Sequence, residues 1–180
     1  MKKLVFLTIA IALMMLASSV AFAQAGNTSA GTLTVTATIN SSINLVFQKD
    51  AAGAAIGGAG TNAATLAFGP VSAFGGVVPA GVVKTTAAAS FTLTTPVDVV
   101  VTKANSTSAN FRLTAQLSAA PAQGETFTVN AVAVTSAAAA TINAAAAYGT
   151  TVATVALTVP FAVPNATVLT DVINFTATSN

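Results

Sequence analysis

Past residue 23 the chain carries four carboxylates, Asp50, Asp98, Glu125 and Asp171, one per segment and far apart in sequence. Two carboxylates facing each other across a cleft are what glycosidic acid–base chemistry needs. Nothing in the spacing of these four brings two together, so they read as solvated loop or strand-edge acids. Calcium takes several clustered oxygen ligands, and Lys49-Asp50 has no Asp-x-Asp spacing around it. The neighbouring glycines, Gly53, Gly57, Gly58 and Gly60, lack the Gly-Lys-Ser/Thr ending and following helix of a phosphate loop. Tyr148 is the single tyrosine and reads as packing rather than as a sugar platform. Asn-x-Ser/Thr triplets at Asn27, Asn40, Asn105, Asn165 and Asn174 are what chance gives in a chain so rich in those residues. Cys and His are absent, which excludes thiolate and imidazole metal sites, haem, iron–sulfur clusters and Ser-His-Asp triads. No catalytic, metal-binding or cofactor-binding residue is assigned. A non-enzyme without a cofactor is expected.

The formal net charge is +2 over 180 residues, but Lys2 and Lys3 supply it. Beyond residue 23, Lys49, Lys84, Lys103 and Arg112 balance the four acids. A neutral surface of this kind lacks the phosphate-facing cations that nucleic-acid binding requires. Residues 1–23 have the grammar of a Sec signal peptide: a basic start, an apolar run from Leu4 to Leu16, and the cleavage triplet Ala21-Phe22-Ala23. The apolar run is shorter than the ~20 residues of a membrane-spanning helix. No integral membrane span is expected after its removal, and the protein is expected outside the cytoplasm. Lack of aromatic girdles (one Tyr, no Trp) argues against an outer-membrane barrel.

After the leader, 27 threonines and many valines favour pleated, half-buried surfaces. Residues 24–31 form a short polar stretch, and residues 32–180 are expected to form one β-sandwich domain. The clearest pattern runs from Thr32 to Gln48. Leu33, Val35, Ala37, Ile39, Ile43, Leu45 and Phe47 alternate with Thr, Asn, Ser and Gln, with one lapse on each face, at Ser41 and Val46. Period two marks a strand with one buried face. Seventeen residues exceed the usual strand, so either Asn40-Ser41-Ser42 breaks the run in two or its first half leaves its own domain. Further strands are predicted at Ala64–Phe68, Val82–Thr95, Val97–Thr102, Asn110–Leu117, Thr126–Thr135, Thr150–Val159 and Val168–Thr178. A phase shift at Asn130 predicts a bulge or turn. Lys49–Asn62 reads as a flexible loop, and Ala137–Ala147 as a loop or a short helical turn. The expected class is all-β: a single Ig-like or pilin-like sandwich of about seven to nine mostly antiparallel strands.

Three stretches carry a family resemblance: Gly31–Phe47 (GTLTVTATINSSINLVF), Ala64–Ala73 (ATLAFGPVSA) and Asp171–Asn180 (DVINFTATSN). They resemble the opening, the Leu-x-Phe-Gly segment and the closing strand of chaperone–usher-type pilins, nearest the archaic branch with spore-coat-U-like domains. The Cys pair common in those domains is absent. The resemblance implies a subunit of a bacterial surface pilus that polymerises head to tail by donor-strand exchange. It implies a homo-oligomeric open filament, a periplasmic chaperone and an outer-membrane usher as partners, and a cell-surface location. Independently, Leu33, Val35, Ala37 and Ile39 have the alternation of a segment that completes another sheet by strand addition. The alternatives are a monomeric secreted adhesion or surface-binding module, including one that uses a regular Thr array, and a surface-layer or matrix protein.

Overall fold

The computed structural model describes residues 31–180, which divide into a segment ending at Thr38 and a compact unit from Ile39 to Asn180. The predicted leader, with Ala21 and Ala23, lies outside the described residues. Residues 31–38 form no regular secondary structure, and every one of them is exposed.

The compact unit is built of strands with no helix among the described residues, none therefore long and apolar enough to cross a membrane. In chain order they are β1 (Ser42–Lys49), β2 (Ile56–Gly57), β3 (Thr65–Leu66), β4 (Val83–Thr86), β5 (Ser90–Ala104), β6 (Asn110–Leu117), β7 (Thr126–Val129), β8 (Val132–Val134), β9 (Ala140–Ala147), β10 (Gly149–Pro160) and β11 (Ile173–Ser179). Every pairing is antiparallel. One sheet runs β1-β5-β10-β7-β8, with β4 also on β5; a second runs β11-β6-β9; β2 and β3 pair by themselves. The all-β, antiparallel class expected from the sequence holds, and the arrangement is consistent with a sandwich. The described residues contain eleven strands, more than the seven to nine expected, because two are only two residues long.

Alternation explains the core. Along β5, Phe91, Leu93, Thr95, Val97, Val99 and Val101 are buried while their neighbours are not. Phe111, Leu113, Ala115 and Leu117 of β6, and Ala153, Val155, Leu157 and Val159 of β10, supply the other buried faces. A period-two register leaves no freedom here, since a one-residue slip would turn every one of these side chains outward.

The sequence reading places two strands, Val82–Thr95 and Val97–Thr102, on either side of Pro96. The structure corrects this: β5 passes straight through it. One edge of β5 pairs with β4 at Phe91–Thr94 and with β1 at Val97–Ala104, so Pro96 falls at the change of partner. There its missing N–H leaves no rung unmade. The loops enter at this gap. The Thr95 hydroxyl, fully buried, donates to the Gly81 carbonyl at 2.8 Å and accepts from the Ala54 N–H at 2.8 Å. Gly81 has φ +79, and a Cβ there would lie 2.2 Å from the carbonyl carbon of Gly53. Only glycine lets these two backbones cross so closely.

Three other expectations change. Ala137–Ala147, read as a loop or helical turn, contains the strand β9. Ala-rich sequence favours helix when isolated, but here the free edge of β6 takes it up, with two register shifts. Lys49–Asn62, read as a flexible loop, folds back on β1: Phe47 N–H donates to Thr61 O (2.9 Å) and Gly60 N–H to Phe47 O (2.7 Å). The closing strand begins at Ile173 rather than Val168. The phase shift at Asn130 is a two-residue turn, with Asn130 and Ala131 both at positive φ between β7 and β8.

Candidate subunit interface

The register fixes two ends. At the near end lie Ser42, Ala104, Asn110, Ala147, Gly149 and Ser179; at the far end lie Ser90, Leu117, Pro160 and Ile173. β1 runs from the near end inward, and β11 runs from the far end to the near end.

The core is closed on β5 and β6 but open along β1 and β11. Val99 and Val101 of β5 are buried, yet their cross-strand neighbours on β1, Phe47 and Leu45, are only half-buried, as is Ile43 opposite Lys103. On β6, Leu113, Ala115 and Leu117 are buried, whereas Ile173, Phe175 and Ala177 of β11 are half-buried. β1 and β11 lie side by side, and the Phe47 and Phe175 rings meet edge to face at 5.4 Å. No ladder joins them, since each ends its own sheet. The seam is therefore an apolar strip bordered by two edge strands. The flap at Gly60-Thr61 takes up the edge of β1 only at Phe47. At the near end the seam opens into a hollow of about 140 Å³ lined by Ser41, Ser42, Ile43, Ser106 and Ser179. Edges left like this template strand addition.

The residues expected to form a donor strand are exposed. Leu33, Val35 and Ile39 are 89%, 80% and 70% exposed, and Ala37 is exposed too. Two residues, Asn40 and Ser41, separate Ile39 from β1.

One acid is not where the sequence put it, and two pairs of acids come together that the spacing did not show. Glu125, expected at a solvated position, is 3% exposed and accepts the Gln123 N–H at 2.8 Å. Its carboxyl meets that of Asp171, and Asp50 meets Asp98. Pairing across 46 or 48 positions leaves no local signal in a sequence. Burial first, then the charge of Glu125 and the hydrogen bond with it, raise Asp171 above the ordinary 3.8. Burial, then Asp50, do the same for Asp98. A raised carboxyl means the folded state holds its proton more tightly than the unfolded state. The resulting stabilisation is complete below pH 3.8 and is lost as pH rises through the folded values. Melting temperatures measured upward from pH 3.5 should therefore include a falling component that Asp171→Asn reduces. An unchanged slope in that variant would contradict the pairing.

Tyr148 packs against Phe111 with centroids 5.5 Å apart, and the Lys103 ammonium lies 4.9 Å above its ring. It is a packing residue with a cation on its face. On the outer face of the larger sheet, Thr85, Thr92, Thr158 and Thr126 form one row across β4, β5, β10 and β7, with Thr92 and Thr158 hydroxyls 2.8 Å apart. The next row, Val83, Thr94, Ala156 and Thr128, is mixed. A regular Thr lattice does not extend past a single row.

No protein-family model, curated protein or solved structure matches the chain.

Proposed function

We propose that the protein is a structural subunit of an extracellular filament that polymerises head to tail by strand donation. The carrying observation is the open seam between β1 and β11, together with the bare apolar side of Leu33, Val35, Ala37 and Ile39. The lengths agree: at ~3.3 Å per residue, residues 32–39 span about 26 Å and the seven residues of β11 about 23 Å. A donated strand supplies backbone partners to both edges and side chains to the half-open strip. The charge balance supports the same reading, since a neutral, apolar monomer has little to keep it dispersed. The signal-like leader supports export. A periplasmic chaperone would cover the seam before assembly, and an outer-membrane usher would order the exchange.

The test is electron microscopy of the purified chain from Gln24 onward, with an unboiled SDS gel. Filaments and a ladder that disappears when residues 32–39 are deleted are the expected result. A well-folded monomer at high concentration would sink the reading and favour a secreted binding module.

A further inference from the structure

We propose that the loop carrying Phe74 and Val77 docks on the near end of the next copy of this chain, forming a second contact in the filament. The inference rests on the strand-donation reading above and adds a surface to it.

The argument begins with the link. Only Asn40 and Ser41 lie between Ile39 and β1, and three residue steps reach at most about 11 Å. A subunit whose Ile39 sits in a neighbour's seam must hold its own near end against that neighbour. Direction decides which end is met. If the segment entered the neighbour's seam from the near end, both near ends would face each other. Each copy would then donate to the other, and the pair would close as a two-fold dimer. An open filament requires entry from the far end. The donated strand then runs parallel to β1 and antiparallel to β11, and near end meets far end at every junction.

The far end carries an exposed apolar surface. Phe74 is 72% exposed and Val77 is 92% exposed. Exposed large apolar side chains gathered in one place mark interaction sites. These two are held out by a braced loop. The Lys84 ammonium donates to the Ser72 and Gly75 carbonyls, and the Thr86 hydroxyl donates to Ala73 O at 3.1 Å. The Phe74 ring leans on Phe161 at 5.1 Å, and Phe161 N–H donates to Ala89 O at 2.9 Å. That anchors the loop at the last rung of β5 and β10. At the opposing near end the Lys103 ammonium donates to Ser108 O, bracing a loop of uncharged residues, Asn105 to Ala109. Its charge is spent on that carbonyl and on the Tyr148 face, so the loop presents no free charge to an apolar partner.

Benzoylphenylalanine at position 74, in the full-length coding sequence expressed in an exporting host, tests this. Filaments are irradiated and the joined peptides mapped by mass spectrometry. Joining of position 74 to residues 103–110 or 149–151 of a second copy is expected. Phe74→Ser with Val77→Ser should keep the SDS-resistant ladder but lose filament straightness. A normal ladder with position 74 joined elsewhere, or joined only within its own chain, overturns the second contact and leaves strand donation standing. Absence of any ladder from the unaltered chain, or a closed dimer alone, overturns the filament reading and the second contact with it.

Discussion

Leu33→Asp combined with Val35→Asp should abolish the polymer ladder while leaving the circular dichroism of the monomer unchanged. Both side chains are exposed in the free chain, so the folded unit loses nothing when they change. In a filament each would occupy the apolar strip beside Leu45, Phe47 and Phe175. Burying a Leu or Val side chain is worth about 1.5–3 kcal/mol. Replacing two of them removes roughly 3–6 kcal/mol and adds the cost of two carboxylates without partners. At about 1.4 kcal/mol per tenfold, affinity falls by at least a hundredfold to ten-thousandfold. The control is period two. Thr34→Asp with Thr36→Asp places the same charges on the opposite side and should leave the ladder nearly intact. Equal damage from both pairs would show that charge alone, not the apolar side, governs assembly.

The second large effect concerns the fold. Thr95→Val keeps shape and removes the hydroxyl that joins two loops to β5. The Ala54 N–H and the Gly81 carbonyl then lose their partner in a buried place. Each orphaned group costs about 1–3 kcal/mol. A loss of about 2–6 kcal/mol is large against total stabilities of about 5–15 kcal/mol. In thermal melts it corresponds to a drop on the order of 5–15 °C for a unit of this size. Thr95→Ser retains both hydrogen bonds and should recover most of the loss. Gly81→Ala should be at least as harmful, because its added carbon meets the Gly53 backbone and its φ is positive. A stable Thr95→Val, within about 0.5 kcal/mol of the parent, would show that the loops are anchored elsewhere.

Much of the fold can be read from alternation. Thr32–Gln48, Asn110–Leu117 and Thr150–Val159 announce themselves because one face is buried and the other is not. The sequence misleads where local preference and tertiary partner disagree. Pro96 signals a break, yet it falls where the strand changes neighbours and has no rung to lose. Ala140–Ala147 signals helix, yet β6 needs a strand on that edge. The carboxyl pairs and the Thr95 clamp join residues 41 positions apart or more, or depend on loops, so no window along the chain contains them. The segment proposed as donor, Leu33 to Ile39, stands out in the sequence as the first half of an alternating run, and in the structure it forms no strand. The receiving strip does not stand out, because it consists of incomplete burial on two strands more than a hundred residues apart.

The eight-residue register of β1 on β5, from Ser42 opposite Ala104 to Lys49 opposite Val97, bears on how such a subunit carries tension. A pull transmitted through Asn40 and Ser41 acts along the axis of β1, at right angles to its hydrogen bonds. Rungs loaded in this direction share the force and must slide together, whereas a pull across the strand would open them one by one. The same holds for a donated strand lying along β11. In the proposed filament, each joint would then meet a stretching force in shear rather than by peeling.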